Sequence, residues 1–245
     1  MSLPTLETPT FELTLPSTDM KVKYRPFLVK EEKILLQALE SAENKQIIQA
    51  LQDICHACTF GVLDVNKLPT FDLEYVFLQI RAKSVGEIAK VRLLCPDDKE
   101  TYASLEIDLT KVEVHVEDEH DNNIVIDEKR NLGIIMKYPT ISTVDPSEDV
   151  KGMGTKRVFE MMAKTIYQVY DGEKTFAASD YKTEELHEFI EGLDSKTFEN
   201  IQKFYQTMPQ LRHEIELENP KTKVKSKMML KGIQDFFLLP SHTKA

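Results

Sequence analysis

Residues 84–94, Ser84-Val85-Gly86-Glu87-Ile88-Ala89-Lys90-Val91-Arg92-Leu93-Leu94, decide the fold class. Before Gly86 the apolar residues Leu73, Val76, Phe77 and Ile80 recur at spacings of three and four, which places them on one helical face. From Glu87 onward apolar and charged residues alternate, and β-branched residues become frequent. The chain therefore passes from helix to strand at Gly86, and both kinds of element occur in separate runs. Separate runs of helices and antiparallel strands define an α+β protein.

Working back from that switch, two more helices are expected. Residues 44–58 set Ile47, Ile48, Leu51, Ile54, Cys55 and Cys58 on an apolar stripe that Gly61 stops, and residues 29–40 are rich in Leu, Lys, Gln, Ala and Glu. Thr70 is read as the N-cap of the third helix, with Asp72 and Glu74 in its first turn. Ahead of these, Phe11-Glu12-Leu13-Thr14-Leu15 and residues 20–24 alternate around Pro16-Ser17-Thr18-Asp19, the pattern of a β-hairpin. Working forward, residues 87–94, 101–109, 112–116, 123–126 and 132–138 read as short strands. A linker is expected over 141–155, then a helix over 156–170, helices capped by Thr183 and Ser195, and a last hairpin from 211–217 and 224–230. The expected organisation is an N-terminal α+β lobe over 1–140, the linker, and a smaller, mainly helical C-terminal lobe over 156–245 that ends in a β-hairpin.

Composition narrows the function. Forty-one acidic against 31 basic residues give a net charge of −10, which repels phosphate, and no basic patch offsets it, so nucleic acid is not an expected partner. The apolar runs reach four or five residues, far short of the roughly 20 that span a bilayer, and Met1-Ser2-Leu3-Pro4 begins no secretory signal. Without such a signal the three cysteines are expected as thiols. Eight glycines are about half the usual share of roughly 7%. That leaves little material for phosphate-cradling loops, and neither a small-molecule substrate nor a cofactor is expected.

The motif search agrees. Cys55-His56-Ala57-Cys58 has the spacing of metal and redox sites, but both cysteines continue the apolar stripe of their helix and read as core thiols. A metal centre drawn from Cys55, Cys58 and Cys95 lacks a fourth ligand. Gly152-Met153-Gly154-Thr155-Lys156 meets neither the Walker nor the dinucleotide spacing. His115 and His120 flank the acidic run Glu117-Asp118-Glu119, which reads as a solvated hairpin tip and not as a calcium loop. Nothing organises the carboxylates for catalysis, so no enzyme is expected. Cys95-Pro96-Asp97-Asp98-Lys99 and Asn219-Pro220-Lys221-Thr222-Lys223 form an internal echo, each an X-Pro turn between strands. Zinc ribbons write such a knuckle C-P-x-C; one cysteine stands in the first copy here and none in the second, and both read as hairpins held by packing. Aromatic material gathers near the two ends, Tyr24, Pro26, Phe27 and Leu28 at one and Phe236 and Phe237 at the other, as core closure or as anchors for a partner.

The strings Phe11-Glu12-Leu13-Thr14-Leu15-Pro16-Ser17, Val22-Lys23-Tyr24-Arg25-Pro26-Phe27-Leu28, Leu68-Pro69-Thr70-Phe71-Asp72, Gln79-Ile80-Arg81-Ala82-Lys83-Ser84-Val85-Gly86 and Gly232-Ile233-Gln234-Asp235-Phe236-Phe237 resemble the T4-type bacteriophage baseplate hub protein family. The resemblance implies a non-enzymatic structural or assembly protein of the contractile-tail baseplate hub, in the virion tail and assembled in the host cytoplasm, with other hub or tail proteins as partners. Two alternatives stand beside it: a transient hub-assembly chaperone absent from the mature virion, and a cysteine-ligated zinc-binding protein.

Overall fold

A computed structural model of the chain describes residues 7–41, 43–143 and 155–232. Those residues form an α+β fold, with 6 helices and 11 strands in small antiparallel sheets. The chain divides into two compact units. Of the described residues, one holds those up to Val65, Phe71–His115 and those from Gln210 on; the other holds Asn66–Thr70 and those between Val116 and Pro209. Among the described residues no helix is long and apolar enough to cross a membrane.

In the first unit, β1 (Phe11–Thr14) and β2 (Lys21–Tyr24) form the expected hairpin, with Phe11 opposite Tyr24. The three expected helices follow: α1 (Val29–Ser41), α2 (Asn44–Cys58) and α3 (Thr70–Val85). Thr70 is the first helical residue of α3 and not its cap. This helix buries residues on nearly every side, among them Val76, Phe77, Leu78, Ile80 and Ala82, as the central helix of a core does. Its buried Asp72 carboxylate accepts the backbone N–H and the hydroxyl of Ser17, tying α3 to the hairpin turn.

Beyond Gly86, β3 (Ile88–Leu94) pairs with β4 (Tyr102–Asp108), and the residues facing inward are Ala89, Val91, Leu93, Ala103 and Ile107. β5 (Glu113–His115) does not join them. It pairs with β10 (Gln210–Glu218), which also pairs with β11 (Lys225–Lys231). Leu78 and Ala82 of α3, Val91 and Leu93 of β3, and Leu211 and Leu230 of the last hairpin share one hydrophobic core. The last hairpin thus belongs with the N-terminal elements, because its apolar face is buried against them.

Apart from Asn66–Thr70, the second unit is an excursion of the chain between β5 and β10. Its sheet has the order β6 (Asn123–Asp127), β7 (Leu132–Met136), β8 (Ile166–Asp171) and β9 (Lys174–Ala177), all antiparallel. Three helices join it: α4 (Thr155–Thr165), α5 (Thr183–Glu191) and α6 (Ser195–Thr207). Ile134, Met136, Met162, Ile166, Ile190 and Phe204 lie in its core.

Three expectations change here. The helix expected over 156–170 ends at Thr165, whose hydroxyl donates to the carbonyls of Met161 and Met162, and residues 166–171 become a strand. Ile166, Tyr167, Val169 and Tyr170 are β-branched or aromatic and complete a sheet by pairing with β7, which outweighs the helical spacing they continue. The caps also shift by one residue: Asp194, not Ser195, caps α6 by accepting from Thr197 N–H, and Lys182 N–H donates to Glu185 at the start of α5. The compact units cross the segments expected at 1–140 and 156–245, because strand pairing and not chain order sets them. Most of the expected linker lies outside the described residues.

Gly133 of β7 stands opposite Tyr170, whose hydroxyl reaches over it to donate to Asn123 Oδ1 at 2.9 Å. A Cβ at this position would overlap the Tyr170 hydroxyl and lie 2.8 Å from the Ile124 carbonyl oxygen. Gly133→Ala is expected to destabilise the protein by about 1–3 kcal/mol through this overpacking, read as a lower urea midpoint.

Candidate functional site

Arg25, just after β2, is the residue around which one end of the helical hairpin is built. Its guanidinium donates to Glu31 Oε1 at 2.9 Å and to the Pro26 carbonyl at 2.9 Å, and its backbone N–H donates to the Cys58 carbonyl at 3.0 Å. Glu31 Oε2 accepts the N–H of Leu28 at 2.8 Å, closing the first turn of α1. The pair is withdrawn from water, with side chains 11% and 4% exposed. Burial raises the Glu31 carboxyl, but the hydrogen bonds and charge of Arg25 prevail and hold it below the usual range. These contacts bring the start of α1 beside the end of α2.

At that end the apolar residues divide into two groups. Tyr24 and Phe27 are buried, and the Phe27 N–H donates to Ser84 Oγ at 2.9 Å, so both aromatics pack in the core of their unit. Pro26 is half-buried. Phe236 and Phe237 lie outside the described residues. Leu28 is 40% exposed and its neighbour Val29 80%. Just after α2, Phe60 is 56% and Val62 71% exposed. Phe60 has φ of +58° and is followed by Gly61 at +73°, and the Gly61 N–H closes α2 on the His56 carbonyl at 2.9 Å. An aromatic residue in the left-handed region is strained by roughly 1–2 kcal/mol. Here that strain holds a ring in water.

The three thiols are all buried. Cys55 Sγ faces the Leu73 carbonyl and Cys58 Sγ faces the Arg25 guanidinium at 3.7 Å. Burial pushes the Cys58 thiol up to about 11 and Cys55 well above its ordinary value. Cys95 packs in a different cluster, with Ala103 and Leu217. The structure does not bring these cysteines together as a metal centre: among the described residues no group of three or more His, Cys, Asp or Glu is placed to hold a metal ion.

The two echoing X-Pro turns do meet. Asn219 Nδ2 donates to both Asp97 oxygens at 2.9 and 3.0 Å, and Thr222 Oγ1 donates to Asp97 Oδ2 at 2.5 Å. These bonds hold the Asp97 carboxyl below the usual range, those from Asn219 and Thr222 in that order.

In the second unit, His120 turns inward. Its Nε2 lies 3.0 Å from the Tyr138 hydroxyl and its Nδ1 3.0 Å from the Thr207 hydroxyl, and its ring lies against Tyr138 and Phe204. Burial lowers its pKa. The acidic run is anchored at this end rather than wholly solvated, because Glu119 also pairs with Lys203 at 2.6 Å. A groove of about 1050 Å³ runs beside β6 and α6. Several of its charged side chains are engaged in the fold: Arg130 with Asp171, Lys203 with Glu119, Asp127 with the N–H groups of Lys129 and Arg130, and Asp194 as a cap. They form no nucleophile and base pair.

Residues 8–238 match the model of a family described as T4 bacteriophage base plate protein. The chain belongs to that family. It is a phage base plate protein, located in the virion tail base plate and interacting with other phage tail proteins. Comparisons with curated proteins and with solved structures return no match. The family is the one that the strings at Phe11, Val22, Leu68, Gln79 and Gly232 resemble.

For this base plate protein, sequence reasoning found the aromatic cluster at Tyr24 but missed Phe60 and Val62. An apolar residue beyond a C-terminal glycine ordinarily packs back on the last turn, so the pattern pointed inward. Two outcomes are expected. The native protein resists alkylation at all three cysteines, and mass spectrometry finds three adducts only after denaturation. Asp97→Asn lowers the Tm at pH 6. The lowered carboxyl stabilises the fold above the ordinary value of about 4 and ceases to do so as pH falls through its lower folded value, so the Tm difference shrinks in scans taken below pH 4.

Proposed function

We propose that this base plate protein is a non-enzymatic subunit of the central hub, acting through protein–protein contacts. The observation that carries this reading is the exposed apolar quartet Leu28, Val29, Phe60 and Val62, held at one end of a helical hairpin by the buried Arg25–Glu31 pair. Exposed apolar side chains on a rigid base suit docking, and a few such anchors dominate an interface. The net charge of −10 keeps free subunits apart until a complementary surface is met. The groove beside β6 adds no assembled catalytic set.

Phe60→Gly separates docking from folding, because glycine relieves the positive φ while removing the ring. The variant is expected to keep its stability within about 1 kcal/mol and to lower the yield of infectious particles in a complementation assay by at least about tenfold, the loss of one interface anchor. Normal yield from the folded variant would overturn the docking role. Quantitative mass spectrometry of purified particles is expected to find a fixed copy number; its absence from finished particles would make the protein a transient assembly factor instead.

A further inference from the structure

The meeting of the two X-Pro turns carries an inference independent of docking. The turns match in their backbone bend. In the first, Lys99 N–H donates to the Cys95 carbonyl at 2.9 Å and Lys99 has φ of +54°. In the second, Lys223 N–H donates to the Asn219 carbonyl at 2.9 Å and Lys223 has φ of +62°. Side-chain oxygens cap both loops, though at different positions: Asp98 Oδ1 accepts the N–H groups of Glu100 and Thr101 at 3.1 and 3.0 Å, and Asn219, which corresponds to Cys95, accepts those of Lys221 and Thr222 through Oδ1 at 2.8 and 3.2 Å. Each is the pattern of residue i taking the amides of i+2 and i+3. The hairpins bearing the turns, β3–β4 and β10–β11, pack through Cys95, Ala103 and Leu217.

Positions 95 and 98 of one turn and 219 and 222 of the other have the x₂ spacing at which paired knuckles present four ligands to a tetrahedral ion. The residues there are a thiol, a carboxylate, an amide and a hydroxyl. This set does not fit zinc, which takes thiolate, imidazole or carboxylate ligands. The carboxylate of Asp97 instead draws the turns together, accepting from Asn219 and Thr222 of the opposite turn. Asp98 serves chiefly its own loop, its Oδ2 accepting the Thr101 hydroxyl at 2.6 Å, and a hydrogen bond from Asn219 adds to the link with the opposite turn.

We propose that the paired turns are the framework of a four-ligand metal knuckle that this chain closes without metal, the Asp97 carboxylate bridging the two turns in place of the ion. The framework keeps the paired turns, and the bridge makes the β3–β4 and β10–β11 junction independent of metal supply.

The full-length wild-type protein is expected to carry no stoichiometric zinc after exposure to Zn²⁺ and desalting, and to show the same Tm with and without EDTA. A variant combining Asp97→Ala, Asp98→Cys, Asn219→Cys and Thr222→Cys, with native Cys95, is expected to bind one Zn²⁺ or Co²⁺ per chain. The Co²⁺ form should show the visible bands of tetrahedral thiolate coordination, and EDTA should lower its Tm. One zinc per wild-type chain would overturn the proposal, as would a folded variant that takes up no stoichiometric metal. Should the variant fail to fold, Thr222→Cys alone decides: oxidation is expected to join native Cys95 to the thiol introduced at position 222, a disulfide mapped by peptide mass spectrometry, and its absence would show that the four positions do not converge.

Discussion

The pairing of β5 with β10 is the constraint on which the rest of the structure depends. Gln210, Leu211 and Arg212 stand opposite His115, Val114 and Glu113, so two segments far apart in the chain become neighbours. Closing so long a loop costs conformational entropy that grows only slowly with its length. The offsetting gain is the burial of Leu211, Ile215 and Leu230 in the same core as Leu78, Val91 and Ile107. Once β10 is in place, the chain between can fold as a separate unit whose two ends leave from adjacent residues, the usual circumstance of a tolerated insertion. The same strand delivers Asn219 and Thr222 to Asp97, so the junction of the two turns is a consequence of that long-range pairing.

The helical hairpin shows how a base plate protein can hold apolar residues in water without losing its fold. Tyr24 and Phe27 supply the interior, and the Arg25–Glu31 pair locks the backbone that leads into α1. A buried ion pair adds little net stability, but it fixes one geometry, since each partner left alone would be an uncompensated charge. That fixed geometry ties the segment leading to Leu28 and Val29 to the end of α2, through the Arg25 N–H bond to the Cys58 carbonyl. The buried thiol of Cys58 belongs to the same arrangement, its Sγ 3.7 Å from the Arg25 guanidinium.

Legibility followed the range of the interactions involved. The helices α1, α2 and α3 and the strands β3 and β4 were readable because their apolar spacing is a property of neighbouring residues. The span from Ile166 to Tyr170 was misread as helix because its strand character is realised only against β7, with Tyr170 crossing Gly133 to reach Asn123. Phe60 and Val62 were invisible for a related reason: a turn residue's exposure depends on what the fold places over it.

By itself the sequence determined the α+β class, the N-terminal hairpin and its three helices, the family, and the reading of the cysteines as core thiols, since each rests on local periodicity or on strings of adjacent residues. Only the tertiary structure decided which strands share a sheet, that the last hairpin joins the first unit, that Phe60 and not Phe27 faces solvent, and that the two X-Pro turns meet through Asp97. Those outcomes depend on pairings between distant segments, where burial and hydrogen bonding choose among partners that local pattern leaves equivalent.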